Sequence, residues 1–89
     1  MKRGLELFTE ALEKCARSRY ISRVVLNPMS KPAYKEVTIE IYSMKGANKE
    51  LFAQATQVYM ITNDAEKESA IDDLTEDIIS IVLKKKLPV

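Results

Sequence analysis

Apolar residues recur at three and four residues over the first segment, "RGLELFTEALEKCARSR". Leu5, Phe8, Leu12 and Cys15 trace one stripe, and Ala11 and Ala16 widen it. That period predicts an amphipathic helix with Cys15 on its core side. The pattern then changes. In "YISRVVLNP" the residues Ile21, Val24 and Val25 are β-branched, which suits a pleated surface. Asn27-Pro28 reads as a turn signal, and Pro32 keeps the residues after it out of a ladder. From Lys35 to Met44 the alternation is strict: Val37, Ile39 and Ile41 on one side, Glu36, Thr38, Glu40 and Tyr42 on the other. This is the pattern of an antiparallel strand with one wet face. Gly46 follows as a turn residue tolerant of positive φ.

The stretch "ANKELFAQATQVYMITN" reads two ways. Asn48 could cap a helix carrying Leu51, Phe52, Ala55, Val58 and Tyr59 on one stripe. The β-rich "TQVYMIT" and a local alternation weigh toward strand, with a bulge or tight turn near residues 55–57. The final segment is a helix. Asn63 or Asp64 can cap it, and Glu66 stands three after Asn63, at capping-box spacing. Ile71, Leu74, Ile78, Ile81 and Val82 form the stripe. Seven acids lie within 64–77, and Lys84, Lys85 and Lys86 follow, an order that complements the helix dipole. The expected fold is a single α+β domain over residues 1–89, in order α-β-β-β(β)-α. Three or four antiparallel strands carry the N-terminal and C-terminal helices on one face.

Composition narrows the function classes. Eighty-nine residues with 46% hydrophobic content fit one small globular domain. The formal net charge is +1, so overall charge gives no reason to expect nucleic acid or membrane. The charge is uneven: eight basic and three acidic groups lie in residues 1–35, six and ten in residues 36–89. A single cysteine cannot form an internal disulfide, which fits a reducing cytoplasm. No apolar run reaches membrane-spanning length, and Glu6 and Glu10 interrupt any signal-peptide core.

The chain holds no histidine. The commonest general base, the histidine-dependent triads and histidine-ligated zinc are therefore missing. Two scattered glycines do not make a phosphate loop or a dinucleotide fingerprint. Asp72, Asp73, Glu76 and Asp77 read as a solvated acidic face rather than a magnesium site. The expectation is a non-enzyme with no cofactor and no metal. One constellation has a binding shape: Arg17, Arg19, Tyr20, Arg23, Lys31, Tyr34 and Lys35. Basic groups neutralise phosphate, and exposed tyrosines stack on unpaired bases. Lys31, Tyr34 and Lys35, at the end of a loop restricted by Pro28 and Pro32, together with Arg19 and Arg23, are the candidate binding surface. A protein partner or another copy of the chain ranks first, RNA second. Lys84–Lys86 reads as a helix terminus.

"VVLNP", a short polar loop, "YKEVTIEI", "KG", "LFAQATQVY" and an acidic capped helix follow one another over residues 20–85. This order resembles the N-terminal accessory domain of a group of bacterial class I SAM-dependent methyltransferase-like proteins. The resemblance implies a non-catalytic module whose partner is a methyl-transferring domain. The family pattern places a histidine after the tyrosine position, where this chain has Met60 and Ile61. The glycine-rich donor loop has no counterpart, so no catalytic residue carries over. The alternative class is a small self-assembling structural protein, such as a phage virion component, built by edge pairing or helix packing.

Overall fold

A computed structural model describes residues 4–85. Helix α1 spans Gly4–Ala16, strands β1, β2 and β3 span Arg19–Pro28, Tyr34–Lys45 and Asn48–Met60, and helix α2 spans Asp64–Leu83. The three strands form one antiparallel sheet in the order β1-β2-β3. The fold is α+β with the order α-β-β-β-α.

The strict alternation of β2 sets the core. Val37, Ile39 and Ile41 have no exposed surface and meet Leu74, Ile78 and Val82 of α2 in one cluster. Leu5 and Leu12 of α1 close the same cluster, with Ala53 and Ala55 beneath α2. Both helices thus cover one face of the sheet. Two hydroxyls are buried with them, and each donates to the carbonyl one helical turn back: Thr9 Oγ1 to Leu5 O at 2.8 Å and Thr75 Oγ1 to Ile71 O at 2.6 Å. That bond satisfies a polar group the core could not otherwise hold.

Three expectations need correction. Cys15 is exposed, because the stripe of α1 runs through Leu5, Phe8, Thr9, Leu12 and Ala16. Thr9 carries its hydroxyl into the core on a local hydrogen bond, and the stripe turns away from position 15. Asn27 and Pro28 end strand β1, paired with Glu36 and Lys35, and the loop is confined to residues 29–33. Proline is tolerated there because the end of an edge strand needs no ladder N–H from it. Residues 48–60 form one strand, but its irregularity lies at Phe52, not near residues 55–57. Ile41 pairs with Ala53 and Tyr42 with Leu51, which leaves Phe52 as the extra residue of a bulge. The bulge turns Phe52 toward the helix side, where its ring meets Tyr20 edge-on at 5.3 Å and Lys85 Nζ at 5.4 Å.

The ends of the elements follow local chemistry. Arg17 takes a left-handed φ of 52°, and Ser18 N donates to Glu13 O, a Schellman-type stop for α1. Gly46 (φ 62°) and Ala47 make the two-residue turn between Lys45 and Asn48. Asn63 caps α2 by accepting from Glu66 N at 2.8 Å. The Glu66 carboxylate reaches back to Thr62 N at 2.9 Å and to the Thr62 hydroxyl. These bonds hold the Glu66 carboxyl below its usual pKa. Lys84 caps the other end, and Lys86 lies outside the described residues. No helix among the described residues is long and apolar enough to cross a membrane.

Candidate functional site

Because both helices sit on one side, the pairing registers leave the other face of the sheet open. β1 presents Arg19, Ile21, Arg23 and Val25 there. β2 presents Tyr34, Glu36, Thr38, Glu40, Tyr42 and Met44. After the bulge β3 presents Gln54, Thr56, Val58 and Met60, and before it Lys49 and Leu51.

The centre of this face is polar. Thr38 and Thr56, directly paired, share a hydrogen bond at 3.0 Å. Arg23 pairs with Glu40 in register, and its Nε stands 3.8 Å from Glu40 Oε1. That is ion-pair range and too long for a hydrogen bond. Glu40 Oε1 is shielded from solvent and accepts no hydrogen bond. Two residues along β2, the Tyr42 hydroxyl is raised above its ordinary pKa by burial and by the Glu40 carboxylate, with Arg23 pulling the other way. Around this centre lie large exposed apolar side chains: Ile21 (42% exposed), Leu51 (51%), Val58 (43%) and Met60 (54%).

The five sequence-predicted surface residues are not gathered at one place. β1 runs from Arg19 to Pro28 before the loop begins, so Arg19 pairs with Met44, at the far end of β2 from Tyr34. Ten residues of strand at about 3.3 Å each put the two roughly 33 Å apart. Arg23 lies between them, opposite Glu40. Lys31 and Tyr34 do come together, with Lys31 Nζ 4.7 Å from the ring centre. Lys35 belongs to the helix side, beside Leu26, Ile61 and Lys67 near the start of α2. A cluster read along the chain is thus spread over two faces and the whole length of a strand. Arg17, a further member of the basic constellation, is exposed at the helix stop.

Sequence reasoning missed the Arg23–Glu40 pair and the lysine over Tyr42. Lys49 Nζ stands 4.4 Å from the Tyr42 ring centre. Both depend on cross-strand register, which the β2 alternation alone does not supply. On the helix side, the Tyr59 hydroxyl donates to Asp73 Oδ2 at 2.7 Å, and burial together with that carboxylate raises the phenol's pKa. Asp73, one of the four acids weighed as a metal site, is thus engaged with a tyrosine. Among the described residues no group of three or more potential ligands gathers to hold a metal ion. Comparison of the chain with protein-family models, curated proteins and solved structures finds no match to any of them.

Proposed function

We propose that this chain is a non-catalytic binding module of the cytoplasm that engages a protein partner through its open sheet face. The observation that carries the reading is the makeup of that face. Exposed Ile21, Leu51, Val58 and Met60 surround a shielded carboxylate oxygen, Glu40 Oε1, that accepts no hydrogen bond. A partner with apolar side chains and one basic donor would bury the rim and supply the missing bond. Burying that pair without a donor would cost free energy, so the requirement is also a source of specificity.

RNA suits the same face less well. Base stacking needs free ring faces, and lysine ammonium groups stand over Tyr34 and Tyr42. Glu40, opposite Arg23, and Glu36, further along the same face, oppose phosphate. The partner implied by the resemblance, a methyl-transferring domain, is one protein that the face could serve, and the exposed lone thiol of Cys15 fits a reducing compartment.

Site-specific photocrosslinking in cells tests this reading. A benzoylphenylalanine at Ile21 should give an adduct with a different protein, and one at Asp72, on the exposed side of α2, should not. Adducts with nucleic acid, adducts only with further copies of the chain, or equal yields from both positions would overturn it.

A further inference from the structure

We propose that the outer edge of β3 is a self-association edge, which pairs antiparallel with β3 of a second copy to make one continuous six-stranded sheet. This goes beyond the binding face and does not rest on it. β3 is thirteen residues long and pairs with β2 on one side only. Edge strands are normally blunted by charge, proline or bulges. The opposite edge, β1, carries Arg19, Arg23 and Pro28. β3 has Lys49, Glu50 and the bulge at Phe52 near its start. From Ala53 to Met60, "AQATQVYM", it has no charge, no proline, no glycine and no further register shift.

The chemistry points to a second copy as the occupant. A symmetric antiparallel pair sets each residue against a near neighbour from the same stretch, so any charged run would repel itself. This run carries none. Paired residues must also point to the same face, so the two-fold axis passes through a residue position rather than between two. Thr56 and Gln57 flank the middle of the run, and we place the axis at Thr56, on the open face. An axis there sets Gln54 against Val58 of the second copy, both on the open face, and Ala53 against Tyr59, both on the helix side.

α2 supplies complementary charge for the same arrangement. It runs antiparallel to β3: Asp73 takes the Tyr59 hydroxyl, and Lys85 stands over Phe52. A groove of about 510 Å³ lies between the two, lined by Gln54, Thr56, Asp77 and Lys84 among others. In the antiparallel pair Tyr59 faces Ala53 of the second copy, next to Phe52. Asp73 of one α2 therefore lies level with Lys84 and Lys85 of the other, while Asp77 sits beside the axis. A parallel pair would set acid against acid. The pair is isologous and closes on itself.

Sedimentation and light scattering of the full chain over a concentration series should show a monomer–dimer equilibrium with nothing larger. Gln54→Lys with Val58→Lys places lysines opposite each other across the axis and should abolish the dimer. Gln54→Lys with Val58→Glu, at the same two positions, should restore it. In a Cys15→Ser background, Thr56→Cys should give a disulfide-linked dimer on mild oxidation, and Ile21→Cys should not. Circular dichroism checks that each variant folds. If the double lysine variant does not fold, the cysteine pair decides. A wild-type chain monomeric at millimolar concentration, a dimer indifferent to both charge variants, crosslinking from Ile21 in preference to Thr56, or open-ended oligomers would each overturn the proposal.

Discussion

Replacing Ile39 with alanine probes the assignment of the two sheet faces. Ile39 has no exposed surface and lies midway along the central strand, between Val24 on β1 and Ala55 on β3. The substitution removes about three buried carbons, and at about 0.8 kcal/mol each the transfer term is about 2.4 kcal/mol. A cavity term adds to it, because Val24 and Ala55 are held by the ladder and cannot follow the retreating side chain. We expect a loss of about 3–4 kcal/mol, in the middle of the roughly 2–5 kcal/mol range for such truncations. A chain of this size has about 4–13 kcal/mol of stability in all. The melting temperature should therefore fall by roughly 12–30 °C, at about 4–8 °C per kcal/mol. Urea denaturation followed by helical circular dichroism measures the effect, at one protein concentration so that self-association does not enter the comparison. Ile21→Ala, on the open face at 42% exposure, is the control and should cost less than about 1 kcal/mol. An Ile39→Ala variant within about 0.5 kcal/mol of wild type, or an Ile21→Ala variant that costs as much, would refute the assignment.

Three further outcomes follow from local geometry. Thr62 lowers the Glu66 pKa below 4.5, so the stability from that cap is fully present above the unfolded value and lost as pH falls through the folded one. Glu66→Gln should flatten the acid limb of a stability–pH curve, and an unchanged acid limb would contradict the capping geometry. Burial first, and Asp73 second, raise the Tyr59 phenol, so its contribution is present below pH 10 and lost as pH rises beyond that value. In an absorbance titration Asp73→Asn should lower the midpoint of the last tyrosine to ionise; no change would mean the hydrogen bond does not form in solution. Exposed Cys15 should react with an aromatic disulfide reagent at nearly the same rate in the folded and urea-unfolded chain. Protection by orders of magnitude would return it to the core.

What was legible in the sequence was periodic. The two-residue alternation of β2 marked Val37, Ile39 and Ile41 as core, and the stripe of α2 with its Asn63–Glu66 cap marked that helix. What was not legible depended on register and on departures from local preference. The bulge at Phe52 shifts the parity of β3 by one, so residues on both sides of it contribute to the open face, and no composition signal announces that shift. Two left-handed positions are filled by Arg17 and Ala33 rather than glycine, which hid the end of α1 and the last residue of the first hairpin loop. Cys15 was misplaced because apolar character alone drew the stripe, while the residue that enters the core is the hydroxyl-bearing Thr9. The candidate surface failed as a cluster for a simpler reason. Residues near each other in sequence lie far apart once a ten-residue strand separates them.

The open face and the β3 edge are two consequences of one economy. Two helices of thirteen and twenty residues can cover one side of a three-stranded sheet, and this chain places its large aliphatic residues there. The other side must remain compatible with water, and its polar centre, a paired threonine couple and a cross-strand ion pair, does so. An ordinary solvated face would need no more than that. Glu40 Oε1 departs from it, since a carboxylate oxygen shielded from water normally accepts a hydrogen bond and this one faces an arginine too distant to donate. The edge departs in the complementary sense: where natural strands place a charge, β3 places eight residues with none. One departure concerns a missing donor and the other a missing guard, and they lie on different parts of the sheet. A partner on the face and a copy on the edge can therefore be held at once. Pairing at the edge would join two open faces into a single surface twice as wide, so that a partner with two matching sites would gain avidity without any new contact.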